Sequence, residues 1–245
     1  MTRAVETLLF DFGGTLDADG VAWKERFYAL YRAEGLDVTA DAFAAAFYAA
    51  DDALIGLLPP TTGLVETVQL LAANVEAELA RRHAEPEIGG TGRGWTDGAR
   101  CRRVAERFLA EMFAAFARNR PVLAALGEHY KLGIVSNFYG NLEAVCRSSG
   151  LAPLFAVMTD SHCVGAEKPD VAIFRSALDA LRAAPATTVF VGDSLHRDLE
   201  GARRVGMRFI WIAPQDVQAT EARTVAKASI LAAVSELRDV ANILR

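Results

Sequence analysis

Apolar residues follow two different periods along this chain, and each period predicts a different kind of element. Between residues 20 and 117 they recur at intervals of three and four, which places them along one side of a helix. Such stripes are most often the core of a helix bundle. Four of them are visible, over residues 23–31, 43–54, 65–79 and 109–116. The segment is therefore predicted to be helical, with a break at Pro59-Pro60.

Short unbroken apolar runs occupy the rest of the chain and alternate with helical patterns. They predict buried strands, because both faces of a strand are apolar only where both are covered. The runs lie at residues 8–10, 132–135, 155–158, 189–191 and 209–212. Between them, Asp170 is placed to cap a helix, and Gly150 and Gly206 to end two others.

Strands that alternate with helices in this way predict right-handed crossovers and a parallel sheet. We therefore predict an α/β protein with a Rossmann-like parallel sheet core and an inserted helical cap domain. Residues 1–19 and 118–245 would form the core domain, and residues 20–117 the cap. A chain of 245 residues is long enough for such a core and a smaller second domain.

Composition narrows the class of protein. The net charge is −5 and no basic block is present, which predicts no nucleic-acid partner and no anionic membrane surface. No apolar run approaches the ~18 residues of a membrane span. Cys101, Cys146 and Cys163 are odd in number and far apart, which argues against a disulfide framework. The first strand also follows the amino terminus too closely for a signal peptide, so a cytoplasmic protein is expected.

Candidate chemistry gathers where the predicted strands end. Asp11 directly follows the first apolar run, Ser136 closes the second and Asp193 follows a later one. The carboxyl ends of parallel strands meet at one rim of the sheet, so these side chains and Lys168 are expected to converge. Two carboxylates at one rim repel each other unless a cation lies between them, and oxygen ligands suit Mg²⁺. Structural roles stay open for Ser136, as a strand-end cap, and for Lys168, as a surface charge.

Four stretches resemble the motifs of the haloacid dehalogenase superfamily, in the family's order. Asp11-Phe12-Gly13-Gly14-Thr15 resembles the first motif, Asp-x-Asp-Gly-Thr, with glycine in place of the second aspartate. Ser136-Asn137 resembles the second motif and Lys168-Pro169-Asp170 the third. The stretch from Gly192 to Asp198 resembles the fourth, Gly-Asp-Ser-x-x-x-Asp. The resemblance covers nearly the whole chain and implies the family's fold with a C1-type helical cap.

The resemblance also implies a metal site and a nucleophile. Asp11 would be both the nucleophile and a Mg²⁺ ligand, Asp193 a second ligand, and Gly13 a third through its backbone carbonyl. Asp198 would lie behind the ligands, although it could equally be a helix-start residue.

A phosphate-binding site is implied beside the metal. Lys168 would supply the cation that faces the transferred group, and Ser136 with the Asn137 backbone amide would hold the phosphoryl oxygens. The implied activity is Mg²⁺-dependent hydrolysis of a small phosphorylated metabolite through an aspartyl-phosphate.

Gly13 is the departure from the family pattern. In the family's phosphatases the second aspartate protonates the leaving alcohol and then activates water, work worth about 10² to 10⁴ in rate. Without it the enzyme could be slow, use a good leaving group, or recruit another base. His162 and His196 flank the third and fourth motifs and are candidates, with a solvent-facing loop histidine as the alternative. A positive φ at residue 13 would be a separate reason for glycine there.

Two other functions stay open. A protein that kept the fold but lost turnover would bind phosphate or a partner without forming product. A 2-haloacid dehalogenase is the second alternative, although dehalogenases of the superfamily carry tyrosine at the position of Gly13. The glycine-rich stretch at residues 88–98 lacks the strand and the Gly-Lys-Ser/Thr ending of a P-loop. It is expected to be a surface loop from which Arg93 or Trp95 could reach a substrate.

Overall fold

The structure is a computed structural model that describes residues 4–83, 98–221 and 230–244. Within these residues six parallel strands form one sheet, in the order β3-β2-β1-β4-β5-β6. The strands are β1 Thr7–Phe10, β2 Lys131–Ser136, β3 Val157–Asp160, β4 Thr188–Gly192, β5 Arg208–Ile212 and β6 Ile230–Val234. The first strand therefore lies in the middle of the sheet, between β2 and β4.

Helices connect the strands on both faces of the sheet. Among the described residues, four lie between β1 and β2: α1 Trp23–Ala33, α2 Ala40–Asp52, α3 Leu64–His83 and α4 Gly98–Gly127. Those after β2 are α5 Leu142–Ser148, α6 Ser161–Val164, α7 Val171–Leu181, α8 Glu200–Val205, α9 Gln215–Glu221 and α10 Leu237–Ile243. None of the helices in the described part of the chain is both long enough and apolar enough to cross a membrane.

Alternating side chains of β1 enter two separate apolar cores. Leu8 and Phe10 belong to a large cluster that extends into α1, α2, α3 and α4, whereas Leu9 belongs to a smaller one on the other face. All three are fully buried. This two-sided burial explains why β1 is a continuous apolar run, and it fixes the position of the residue that follows it.

The predicted parallel α/β architecture is confirmed, and several local predictions hold. Asp170 accepts a hydrogen bond from Ala172 N at 2.8 Å and caps α7. Gly150 and Gly206 both adopt positive φ just after a helix. The apolar stripes do not lie wholly in the core, because Val65 and Phe113 are 45% and 42% exposed.

Two strand predictions were inaccurate. The third strand begins at Val157 rather than at residue 155, and β6 was not predicted at all. Residues 88–97, including Arg93 and Trp95, lie outside the described residues. The division into core and cap domains remains a prediction, and α4 continues across the proposed boundary near residue 118.

Candidate functional site

The carboxyl ends of the three central strands lie level with one another. Phe10 is in register with Ile134 of β2 and with Val191 of β4. The next residue, Asp11, donates its backbone N–H to Val191 O at 2.9 Å, which fixes it at the end of the sheet. Its side chain is buried at this rim, as the sequence predicts.

One oxygen of Asp11 receives three donors. Its Oδ1 accepts hydrogen bonds from Phe12 N at 2.7 Å and Ser136 Oγ at 3.0 Å, and lies 2.7 Å from Lys168 Nζ. No donor among the described residues reaches the other oxygen, Oδ2. The carboxylate is therefore anchored through one oxygen, and the second keeps its lone pairs for a substrate or a metal ion.

Lys168 is almost completely buried between two carboxylates. Its Nζ lies 2.7 Å from Asp11 Oδ1 and 2.8 Å from Asp198 Oδ1. Burial acts to lower the pKa of Lys168, but the Asp11 and Asp198 carboxylates outweigh it, and the pKa lies above its ordinary value. The ammonium group is therefore a permanent charge, and a surface position for Lys168 is excluded.

Asn137 holds the loop that carries Lys168. Its Oδ1 accepts a hydrogen bond from Lys168 N at 2.7 Å, and its Nδ2 donates to Lys168 O at 3.3 Å. The side chain of Asn137 thus positions the cation, which the sequence did not indicate.

Three carboxylates crowd the rim beside Asp11. Oxygens of Asp11, Asp193 and Asp198 all lie within 4.8 Å of one another. Burial, followed by the Asp11 and Asp198 carboxylates, raises the pKa of Asp193 well above its ordinary value. A divalent cation would remove this repulsion, and a donor set made only of oxygens suits Mg²⁺. The residues present therefore fit the metal that the sequence implies.

Asp198 has other partners for both of its oxygens. Its Oδ1 pairs with Lys168, and its Oδ2 accepts a hydrogen bond from Ser194 N at 3.0 Å. Asp193 has a freer carboxylate, which in the described part of the chain accepts one weak bond, from Thr15 Oγ1 at 3.2 Å. This difference supports Asp193 as the ligand and Asp198 as the residue behind it.

A positive φ is not the reason for glycine at residue 13, because it is the next residue that adopts one. Gly14 has φ 86°, and a Cβ there would lie 2.6 Å from Asp193 Oδ2. At Gly13 a Cβ would instead lie 3.2 Å from Nε1 of Trp23. An indole therefore covers Gly13 on the side where a longer residue would place its side chain.

A buried carboxylate holds that indole in place. Asp17 accepts hydrogen bonds from Gly14 N at 2.6 Å, from Trp23 Nε1 at 2.7 Å and from Arg26 Nη1 at 2.7 Å. Burial raises the pKa of Asp17, although Arg26 opposes the shift. The group joins the loop after β1 to α1. Sequence reasoning missed it, since nothing in the spacing shows which polar residues of a helix face the core.

A pocket of about 170 Å³ opens in front of Asp11. The strand ends supply Asp11, Gly13, Ser136, Asn137 and Lys168, as the sequence predicted for a converging site. The facing residues come from α1, from α2 and from the segments after β2 and β4, and they carry aromatic, cationic and acidic groups. They include Trp23, Lys24, Glu25, Phe47, Tyr48, Asp51, Phe138, Tyr139 and Arg197.

Neither histidine proposed from the sequence lines this pocket. His162 packs against Gly56 and Gly140, and a Cβ at either glycine would lie 2.8 Å from its ring. His196 is 81% exposed and lies 3.6 Å from Glu200. His162 is exposed as well, although its ring packs against these two glycines. The solvent-facing alternative therefore describes both histidines.

Comparison with known proteins identifies the family. The sequence profile of the haloacid dehalogenase-like hydrolases matches residues 5–206. The chain belongs to this family. Two curated relatives of this hydrolase match in part: haloacid dehalogenase-like hydrolase domain-containing protein 3 of Mus musculus, 36% identical over 46% of each chain, and phosphoserine phosphatase of Thermus thermophilus, 33% identical over 58% of each chain. The chain spans about half the length of the curated relatives it matches.

Solved structures place the hydrolase in the same fold. The putative HAD-hydrolase YfnB of Bacillus subtilis, solved with bound magnesium, superposes with a TM-score of 0.58 at 21% identity and covers 99% of both chains. The L-2-haloacid dehalogenase PA0810 superposes with a TM-score of 0.57 at 23% identity, over 98% of this chain and 99% of the other. At such identities the likeness establishes the fold and leaves the reaction to be argued from the site.

Proposed function

We propose that this hydrolase is a Mg²⁺-dependent phosphatase of a small phosphorylated metabolite. The observation that carries the proposal is the asymmetry of Asp11, which is anchored through Oδ1 and has no donor on Oδ2 among the described residues. A carboxylate held in this way presents one oxygen for attack on phosphorus. The phosphoserine phosphatase of Thermus thermophilus, one of the matched relatives, supports the same reaction class.

The proposed reaction has two steps. Oδ2 of Asp11 attacks phosphorus, the bond from phosphorus to the leaving oxygen breaks, and that oxygen takes up a proton. Water then attacks the phosphorus of the aspartyl-phosphate, releases phosphate and restores the Asp11 carboxylate. Lys168 faces the negative charge of the transferred group throughout, and Ser136 with the Asn137 amide holds its oxygens.

Asp11, Asp193 and the Gly13 carbonyl would hold the Mg²⁺. When bound, the ion would neutralise charge on the transferred phosphoryl group. The arrangement of the carboxylates supports this set, since Asp198 is engaged on both oxygens by other groups.

A panel of phosphate esters tests the proposal. We expect phosphate release that requires Mg²⁺ and stops on chelation with EDTA. Absence of turnover on every member, with the protein folded, contradicts the proposal.

The indole over Gly13 favours a second candidate, a phosphate-binding protein that has lost turnover. It predicts saturable, Mg²⁺-dependent binding of phosphate without product. A dehalogenase reaction is disfavoured by the three crowded carboxylates, which need a cation that the superfamily's dehalogenases do without. Halide release from a 2-haloacid in EDTA would reverse that judgement.

A further inference from the structure

The proposed phosphatase reaction needs an acid that the loop after β1 does not supply. An alkoxide is a poor leaving group and must be protonated as it departs. Gly13 has no side chain, and the space beside it holds the Trp23 indole. Trp23 donates its N–H to Asp17. Neither Gly13 nor Trp23 therefore offers a proton to the pocket.

The direction of the reaction indicates where the acid must lie. In phosphoryl transfer the attacking and leaving oxygens are roughly in line. Asp11 attacks from the end of the sheet, so the leaving oxygen departs towards the residues that face the strand ends. Those residues lie mainly on α1 and α2.

Two carboxylates of these helices line the pocket in the described part of the chain, Glu25 and Asp51. Glu25 is 55% exposed, and its carboxylate is already paired with Lys24 Nζ at 2.8 Å. Asp51 is partly buried at the end of α2, and its Oδ1 accepts a hydrogen bond from Tyr139 Oη. Tyr139 follows the second motif by two residues, which links Asp51 to the loop that carries Asn137.

We propose that Asp51 is the acid that protonates the leaving oxygen, and that Tyr139 orients it. In the first step the Asp51 carboxyl gives its proton to the departing oxygen and becomes a carboxylate. In the second step the carboxylate takes a proton from the water that attacks the aspartyl-phosphate. One residue thus completes the cycle and returns to its starting state. The inference rests on the proposed phosphatase function.

The surroundings of Asp51 suit both steps. Burial raises the pKa of Asp51 to about 6, and the neighbouring Asp52 and Glu167 act in the same direction. The Tyr139 hydrogen bond and the Arg197 charge oppose the shift. Tyr139 itself stays protonated, because burial and then Asp51 raise its pKa well above the ordinary value. An acid that titrates near neutrality can both give and take a proton.

The test compares kcat/KM for two leaving groups, because this constant depends on substrate binding and on the first chemical step but not on hydrolysis of the aspartyl-phosphate. An alkyl phosphate needs an acid, whereas an aryl phosphate with a nitrophenolate leaving group does not. We expect Asp51→Asn to lower kcat/KM for the alkyl ester by about 10² to 10⁴ and for the aryl ester by only a few-fold. Asp52→Asn is the matched control, because Asp52 is the exposed next residue on the same helix. It should change both values by a few-fold at most.

A second variant tests the hydrogen bond from Tyr139 to Asp51 without removing the aromatic ring. Tyr139→Phe keeps the ring but removes a hydrogen bond that lowers the pKa of Asp51. In the pH profile of kcat/KM for the alkyl ester, the alkaline limb should therefore move to higher pH. A limb that came from ionisation of the substrate itself would not move.

The outcomes distinguish the two levels of the proposal. If the parent protein hydrolyses neither ester, the phosphatase function fails and this inference falls with it. If the parent is active but Asp51→Asn slows both esters equally, or Tyr139→Phe leaves the alkaline limb in place, the role of Asp51 alone is refuted.

Discussion

At the scale of single residues, the site depends on which oxygen of each carboxylate is already engaged. Asp11 and Asp198 share Lys168, and Asp198 has no free oxygen once Ser194 N is counted. The four motifs identified these residues, because a strand that ends in a polar residue places it at the rim whatever the rest of the chain does. They did not show which oxygens would be occupied, since that depends on side chains from four different segments.

Replacement of Asp11 by asparagine should abolish turnover and leave the fold intact. The amide has the same shape but no anionic oxygen for attack. Lys168 keeps Asp198 as a partner, and one of three crowded carboxylates loses its charge, so the melting temperature should change little. Phosphate release from an aryl ester, measured beside a thermal melt, checks both expectations. Activity within a few-fold of the parent contradicts Asp11 as the nucleophile.

Replacement of Lys168 by methionine should weaken phosphate binding and slow transfer by about 10² to 10³. It also leaves two buried carboxylates without their cation, a change that typically costs about 3–5 kcal/mol of folding free energy. Because Mg²⁺ would neutralise Asp11, one of these two carboxylates, the loss should be larger in EDTA than in Mg²⁺. Lys131→Met is the control, since the Lys131 amine bonds Leu181 O away from the site. Unchanged phosphate affinity and rate refute the role.

Replacement of Gly13 by aspartate meets the indole of Trp23 and no unfavourable φ. The overpacking should cost about 1–3 kcal/mol. If the new carboxylate reaches the leaving oxygen, it should restore alkyl-ester hydrolysis to Asp51→Asn and do little for the parent, which already has an acid. Gly13→Asn in the same background is the control, because it has the size without the acid. Equal effects of the two substitutions would show that size alone matters.

At the scale of elements, the carboxyl end of α2 carries negative side chains, whereas helices usually carry positive ones there. Asp51 and Asp52 occupy its last turn, which contains no basic residue, although the negative end of the helix dipole disfavours carboxylates there. Local rules are most often broken where function requires it. The helix itself was predictable from its apolar stripe, but that stripe carries no information on the pocket-facing residue.

The raised pKa of Asp51 predicts that the folding stability depends on pH. A carboxyl whose pKa rises from 3.8 to about 6 on folding stabilises the fold below pH 4, and this contribution is lost as the pH rises through 6. At pH 8, Asp51→Asn should therefore be more stable than the parent by about 1–3 kcal/mol, with the difference shrinking towards pH 4. Urea unfolding at several pH values measures it, with Asp52→Asn beside it. An equal difference at every pH contradicts a raised pKa at Asp51.

At the scale of the whole molecule, the pocket joins residues that lie far apart in the sequence. The sheet forms one wall of the pocket. Any parallel α/β chain with these apolar runs would bring its strand ends to the same rim, which is why the rim residues were predictable. The other wall depends on how α1 and α2 pack. Two side-chain pairs fix this wall, Asp17 with Arg26 and Asp51 with Tyr139. Each pair joins two segments of the chain, and the spacing of apolar residues does not show that these segments meet. The edge strand β6 escaped prediction for a similar reason, since its short and half-exposed run resembles a loop.

The unequal oxygens of Asp11 have an isotopic consequence. In water enriched in oxygen-18, attack on phosphorus breaks the bond between phosphorus and the carboxylate oxygen, so the label enters phosphate and Asp11 keeps both original atoms. Attack on the carboxyl carbon, as in the hydrolysis of an alkyl ester, would exchange one oxygen of the side chain at each turnover. Only the position distal to Lys168 would then exchange. Mass spectrometry of the peptide that contains Asp11 after many turnovers therefore records the chemistry in the protein itself, independently of any product assay.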